Sequence, residues 1–321
     1  MDKLKSNKKY IFPALIVILC ITIIYSLNII NKNKIINSSF EVASEEIAFS
    51  NLPSNFDGFK ILQISDLHSI EFDKDNSSLI NTIDELSPDV IFITGDIFSA
   101  TEFKDSDDTY NRNYDEESLV GFKLLKELSK KYDIIYSVGN HEEGIDAIFN
   151  GYEWNLRDRA VDNSYNRYLN KLSDLGVKFV DNSYTTIYKD VQTINIYGIY
   201  YYSLNKYAKK IDPDDPLTLD FIKTVDKNKF NILLSHDPDA ADILEDKNFD
   251  LILSGHVHGG IIRLFDVGIL DPARKLFPKY DKGLYKVKNT QLYVSTGLGN
   301  PKFMRINNPP EINLITLKNL K

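Results

Sequence analysis

A chain of 321 residues, 43% hydrophobic and 26% charged, is long enough for one large α/β domain and too apolar to be disordered over most of its length. The formal charge of −8 argues against a nucleic-acid platform, which needs a basic face. The single cysteine, Cys20, lies in an N-terminal apolar stretch, so the rest of the chain can form no internal disulfide and offers no thiolate to a metal.

From the N-terminus, Lys3, Lys5, Lys8 and Lys9 precede a run from Tyr10 to Ile30 that contains no charge, long enough to span a bilayer as one helix. Only Lys32 and Lys34 follow closely, and this excess of positive charge predicts a cytoplasmic N-terminus with everything after Ile30 outside. The expected division is a basic cytoplasmic tail at 1–9, a single-pass membrane anchor at 10–30, a polar stalk at 31–41 and one domain at 42–321. A cleavable signal peptide is the rival reading, but the run is long and no small-x-small site follows it.

Strand, loop and helix then alternate. Val42–Phe49 and Lys60–Ser65 read as strands, Ser77–Leu86 as a helix ended before Pro88, and Val90–Thr94 as a strand. Glu117–Lys130 reads as an amphipathic helix, Ile134–Val138 as a strand and Tyr165–Leu175 as a helix. Strands follow at Val177–Val180, Thr185–Tyr188 and Ile194–Ile199, then helix Leu217–Val225, strand Phe230–Ser235, helix Ala240–Glu245 and strand Leu251–Leu253. The remainder (Leu284–Val287, Gln291–Ser295, Ile312–Leu317) is strand after strand. The pattern predicts a mixed α/β fold of two packed sheets with helices outside. Two loops stand out: acidic Thr101–Ser118, read mainly as solvated surface, and Gly144–Asn163, whose Tyr152, Trp154, Arg157 and Arg159 suit substrate contact.

All five histidines sit in short polar clusters that close apolar runs. Asp66-Leu67-His68 follows KILQIS, Gly95-Asp96 follows DVIFIT, and Gly139-Asn140-His141-Glu142 follows DIIYSV. His236 follows NILLS, and Gly255-His256-Val257-His258-Gly259-Gly260 follows DLILS. Beyond the carboxyl ends of strands in an open α/β sheet is where ligands bind. In extended backbone, Asp66 and His68 would point to one side, as would His256 and His258. Any one cluster alone is more often a turn, a helix cap or a core histidine. Together, two Asp, one Asn and five His supply ligands for two transition-metal ions and leave one imidazole for acid–base work.

In this order the motifs resemble those of the calcineurin-like metallophosphoesterases, over roughly residues 45–317. DLH, GHVHGG, the single N-terminal span and VSTGLGNPKFMRINNPPEINLITL are similar to a membrane-anchored bacterial subgroup. The resemblance implies a four-layer αββα sandwich presenting two divalent or trivalent ions, with manganese, iron and zinc all compatible with the donors. Carried over, Asp66, His68 and His258 would bind one ion, Asn140, His236 and His256 the other, and Asp96 would bridge them. His141 would lie beside them, unligated. The implied mechanism is two-metal hydrolysis: hydroxide attacks phosphorus in line, while His141 steadies charge or protonates the leaving alkoxide.

One departure matters. Protein phosphatases of this superfamily carry Asp and then Arg where this chain has Phe98 and Ser99, which argues against a phosphoprotein substrate and leaves the partner of His141 open, with Glu142 and Ser99 as candidates. Arg274–Lys288 holds six basic residues and one acidic in an otherwise acidic protein, suited to an anionic headgroup or to plain solvation. The leading expectation is a cell-surface phosphoesterase acting on phosphodiester or pyrophosphate bonds, in a phosphorylated small molecule or in lipid- or wall-linked material. The alternatives are a non-catalytic surface binding module, disfavoured by the intact ligand set, and a secreted nuclease, disfavoured by acidity and tether.

Overall fold

The computed structural model describes residues 26–105, 109–111, 113–150, 164–208, 223–299 and 304–320, with 19, 21–23 and 221 besides. The run Tyr10–Ile30 and the helix expected at Leu217–Val225 therefore lie largely outside the described residues, and Tyr152, Trp154, Arg157 and Arg159 lie wholly outside them. Among the described residues no helix is long and apolar enough to cross a membrane.

The segment expected as a stalk is instead docked. Helix α1 covers residues 26–37. Asn33 is buried, and its Oδ1 accepts from Asn307 N at 2.8 Å. Asn37 accepts from Arg305 N at 3.1 Å and donates to Arg305 O at 2.9 Å. Helix positions four apart are separated by ~6 Å, close to the ~6.6 Å between alternate residues of an extended chain. Two asparagines at that spacing therefore read residues 305 and 307 as a neighbouring strand would. Their polarity suggested a solvated linker; here it serves backbone recognition.

Two six-stranded sheets follow. The first contains β1 (Glu41–Phe49), β2 (Lys60–Ile64), β3 (Val90–Ile93), β4 (Ile134–Tyr136), β5 (Lys178–Phe179) and the last strand β14 (Glu311–Asn319), in the order β1-β14-β2-β3-β4-β5. The second contains β6 (Ser183–Lys189), β7 (Gln192–Ile199), β8 (Phe230–Ser235), β9 (Leu251–Ser254), β12 (Gly283–Val287) and β13 (Thr290–Val294), in the order β12-β13-β9-β8-β7-β6. A hairpin, β10 (Ile262–Leu264) and β11 (Val267–Leu270), stands apart. Both sheets are mixed: β2 through β5 are parallel, as are β7, β8, β9 and β13, while β14–β2, β6–β7 and β12–β13 are antiparallel.

Side-chain alternation builds the layers. On β3, Val90 and Phe92 enter the core between the sheets, whereas Ile91 and Ile93 face the helices α2 (Ser77–Leu86), α3 (Val120–Leu128) and α5 (Ser164–Asp174). On β9, Leu251 and Leu253 join the inter-sheet core, while Ile252 packs beneath α6 (Tyr201–Ala208) and α7 (Ala240–Ile243). Central strands buried on both faces read as continuous apolar runs, which is why they were visible in the sequence. The result is helix, sheet, sheet, helix. The acidic loop after Thr101 is packed more closely than its composition suggested. Phe103 is buried, and buried Glu116 pairs with Arg167 at 3.2 Å and Lys171 at 2.7 Å.

Ile315 on β14 is fully buried in the inter-sheet core. Ile315→Ala should lower unfolding stability by about 2–5 kcal/mol. Val191→Ala, at an exposed hairpin tip, should change it by less than about 0.5 kcal/mol. Chemical denaturation midpoints measure both; a similar small change in each would mean that the two sheets do not pack as described.

Candidate metal centre

The carboxyl ends of β2, β3, β4, β8, β9 and β13 meet at one end of the sandwich. The loops after β2 and β3 are stitched together there: Asp66 N donates to Gly95 O at 2.9 Å, His68 N to Asp96 O at 3.0 Å and Ser69 N to Ile97 O at 3.1 Å. The expectation of extended backbone at Asp66–His68 and His256–His258 is corrected. Asp66, His68, Asp96, His256 and His258 all have left-handed φ, between 46° and 71°. Each such non-glycine residue costs of order 1–3 kcal/mol and persists only where its surroundings enforce it. Two glycines let backbone and carboxylate approach. A Cβ on Gly255 would lie 2.2 Å from Asp66 Oδ2, and one on Gly139 2.2 Å from Asp96 Oδ1.

The predicted ligands converge. Asp66 Oδ1 lies 3.8 Å from His68 Nε2, 3.4 Å from His258 Nε2 and 3.9 Å from His236 Nε2. Asp96 Oδ2 lies 3.6 Å from His68 Nε2 and 3.2 Å from His236 Nε2. Three sets have donor atoms within 4.8 Å of one another: Asp66–His68–His258, Asp66–Asp96–His236 and His68–Asp96–His141. His256 joins none of these sets, but its ring stands 4.9 Å from that of His236, and its backbone N–H donates to Asp66. Asn140 Oδ1 is buried at the same end without a hydrogen-bond partner among the described residues. His141, expected beside the ions and unligated, packs its ring 4.6 Å from that of His68, and its ring nitrogen lies within 4.8 Å of donor atoms of His68 and Asp96.

The electrostatics fit cations. His68 Nε2 and His258 Nε2 face each other at 3.2 Å. Since His258 Nδ1 donates to Gly299 O at 3.0 Å, the Nε2 of a neutral ring turns a lone pair inward. Burial holds His68 and His256 down to about 3 and keeps His258 well below the usual imidazole range. Burial also opposes charge on His236, but the Asp96 and Asp66 carboxylates outweigh it and lift that imidazole to about 10. Burial, with Asp96 adding to it, raises Asp66 to about 6. Burial disfavours the Asp96 carboxylate too, yet His236 and His141 prevail and keep it well below the usual range. His236 thus keeps a proton at neutral pH beside the two carboxylates, a charge that a bound cation would replace.

Outside this cluster, His236 Nδ1 donates to Thr94 O at 2.7 Å, which aims Nε2 at Asp96. Glu142 does not orient His141. Its oxygens accept from the N–H groups of Asp96 (2.8 Å), Ile97 (2.7 Å) and Gly139 (3.0 Å) and from Tyr136 Oη (2.6 Å), so it ties two ligand loops together. Burial, then the Asp96 charge, raises it to about 7. Phe98 points into the helix-side core against Phe103 and Tyr168 and brings no carboxylate to the site. Two further residues escaped the sequence reading. Arg305 is fully buried, and its Nη2 donates to Gly299 O, the carbonyl that orients His258, at 2.5 Å. Tyr201 brings its ring 5.0 Å from that of His256. Arg305 lies inside the C-terminal segment that carries the family resemblance; Tyr201 had no signal beyond following a strand.

Residues 59–260 match the family described as calcineurin-like phosphoesterase. The chain is 33% identical over 284 residues to an uncharacterized metallophosphoesterase, YkuE, of Bacillus subtilis, covering 87% of this chain and 85% of the relative. It is 26% identical over 299 residues to a UDP-2,3-diacylglucosamine pyrophosphatase, LpxG, of Chlamydia trachomatis, covering 83% and 86%. A shorter match, 33% over 87 residues, joins 27% of this chain to 32% of the phosphodiesterase YaeI of Escherichia coli.

A pH dependence of metal loading follows. A raised imidazole keeps its proton until pH passes its folded pKa, about 10 for His236, and a raised carboxyl keeps its own until about 6 for Asp66. Loading the metal-free protein at about pH 8 should release about one proton per chain, rising toward about two at about pH 5. Calorimetry in buffers of different ionisation enthalpy counts them; about one proton at both pH values would exclude Asp66 as a protonated ligand, and none at about pH 8 would exclude His236.

Proposed function

Because the chain belongs to the calcineurin-like phosphoesterase family, we propose that it hydrolyses phosphodiester or pyrophosphate bonds at a centre of two transition-metal ions. One observation carries this reading: carboxylates and imidazoles from both sheets converge on one buried point. Asp66, His68 and His258 would hold one ion, and Asn140, His236 and His256 the other, with Asp96 between them. Manganese, iron and zinc all suit this donor set. Bound there, cations supply Lewis acidity toward phosphoryl oxygens and make water a competent nucleophile near neutral pH.

The chain's own groups do the rest. The backbone N–H groups of residues 96, 97 and 139, held by Glu142, fix the Asp96 carboxylate and the start of α4 (Asn140–Asn150) in one register. His141, whose N–H donates to Asp96 Oδ1 at 2.8 Å, is held where its ring could pass a proton to a departing alkoxide. With Phe98 in the core, the imidazole lacks the carboxylate partner of the protein phosphatases, which supports a substrate other than phosphoprotein. The diacylglucosamine relative supports a lipid-linked phosphoester, and the uncharged run Tyr10–Ile30 supports a single-pass anchor with the domain outside the cell. A non-catalytic binding module on the same fold is the competing reading, and the complete donor set disfavours it.

His141→Ala should keep metal content near wild type and lower turnover of an alkyl phosphodiester by about 10²–10⁴-fold, the usual worth of general acid help. A nitrophenyl ester, whose leaving group needs little protonation, should lose less. Loss of a metal ion, or equal slowing of both substrates, would make His141 a ligand or an electrostatic group. No turnover by the metal-loaded wild type on any phosphodiester or pyrophosphate would favour the binding module.

The anchor has its own test. Protease added to intact cells should digest the domain. Digestion only after lysis would reverse the orientation.

A further inference from the structure

The β10–β11 hairpin springs directly from the ligand turn at His256–Gly260 and carries an apolar tip that nothing in the described structure covers. Phe265 is 91% exposed, Leu264 53% and Val267 48%. Beside β11 runs a second exposed segment. Phe277 N donates to Ile269 O at 3.0 Å, Leu276 bridges to Leu270, and both Leu276 and Phe277 are 62% exposed. Exposed Arg274 and Lys275 precede them. Apolar side chains clustered in this way mark a contact surface more often than chance exposure does.

The tip is also held in place at a cost. Phe265 and Asp266 both have left-handed φ, 51° and 63°, in a two-residue turn where Asn-Gly is the relaxed choice. Below it, the Arg263 guanidinium bonds Gly259 O at 2.7 Å, Asp281 Oδ2 at 3.0 Å and Asp266 O. A rigid base thus holds a phenylalanine in a strained conformation, directed into solvent.

The backbone pairing gives the hairpin a direction. Residue 306 bridges residue 262 in parallel, so the chain at 305–306 runs the same way as β10, toward the tip. Asn37 meets Arg305 and Asn33 meets Asn307, so α1 runs antiparallel to that segment, and its N-terminal end points the same way as the tip. Phe265 is three residues beyond Ile262, ~10 Å at strand rise. The same ~10 Å along a helix from the level of Asn33–Asn37 is about seven residues. That reaches residue 28, inside the uncharged run Tyr10–Ile30.

We propose that Leu264, Phe265 and Val267, with the adjoining Arg274–Phe277 segment, form a docking surface for an anionic lipid bilayer, the same bilayer that the N-terminal run enters. This rests on the anchoring proposed above and not on the hydrolytic reading. Apolar tips enter the acyl boundary while Arg274 and Lys275 meet anionic headgroups, the two contributions that hold peripheral segments to membranes. Docking there would set the His256–His258 turn at the headgroup level, so the substrate class it favours is a phosphoester carried in the plane of the membrane.

The test uses the full chain with Cys20→Ser, so that a single introduced cysteine carries an environment-sensitive fluorophore at Phe265→Cys or, as a control, at Val191→Cys, which is 95% exposed on the β6–β7 hairpin. Each is reconstituted into phosphatidylglycerol/phosphatidylcholine vesicles and separated by flotation. Emission at 265 should shift to shorter wavelength and be quenched several-fold more by doxyl-lipids than emission at 191. In phosphatidylcholine alone, that difference should shrink. Chains that float with position 265 as open to aqueous iodide as 191 overturn the docking surface and leave the anchor standing. Chains that do not float overturn both, and equal quenching in neutral vesicles overturns the anionic preference.

Discussion

Two carboxylates, Asp66 and Asp96, are held out of water with their oxygens 3.2–3.9 Å from imidazole nitrogens. The structure around them serves to make that tolerable. An unpaired buried charge costs several kcal/mol, so the positive partner must be built in or brought in. The fold does both in part: His236 holds a proton, and other nitrogens face inward with none. The backbone is bent to suit. Left-handed residues at five of the candidate ligand positions and bare glycines at 139 and 255 put the carboxylates where extended strands could not. Strain of that kind survives because two sheets and three apolar cores surround the loops that carry it.

This division explains what the sequence could reveal. Strands such as Phe230–Ser235 and helix Ser77–Leu86 are read to the residue, because doubly buried strands and an amphipathic helix write their periodicity openly. The convergence of the candidate ligands was equally legible, since histidine occurs nowhere else in the chain. Helix α4 was missed because its first turn, Asn140–Glu143, is occupied by site residues that leave no apolar stripe. Glu142 was suspected as the partner of His141; its carboxylate instead braces N–H groups on two loops, a role that depends on which loops meet. Arg305 and the asparagines of α1 were illegible for the same reason. The asparagines' partners lie hundreds of residues away in sequence, and Arg305 acts on a turn whose place beside His258 depends on the fold; local pattern carries no trace of either.

Gly299 and residues 305–308 join these parts. Gly299 O and Asn308 hold the two ends of His258, through its Nδ1 and its carbonyl. Asn33 and Asn37 grip the backbone of the same segment from the other side. His258, a proposed ligand, and helix α1 are therefore joined by two hydrogen bonds through the adjacent residues 307 and 308.

The position of β14 has a consequence for how the chain reaches this state. Among the described residues, the last strand in sequence lies between β1 and β2 and is the only one that pairs with β1. Until it emerges from the ribosome, β1 has no partner and β2 keeps an open edge, so the first sheet cannot close. Pairing the two ends of a long polypeptide is slow, because loop closure precedes any reward from contact. Unpaired apolar strands are meanwhile open to aggregation. Closure of the first sheet thus waits on residues 311–319, and a chain truncated before Glu311 would carry every proposed site residue without the strand that joins β1 to β2.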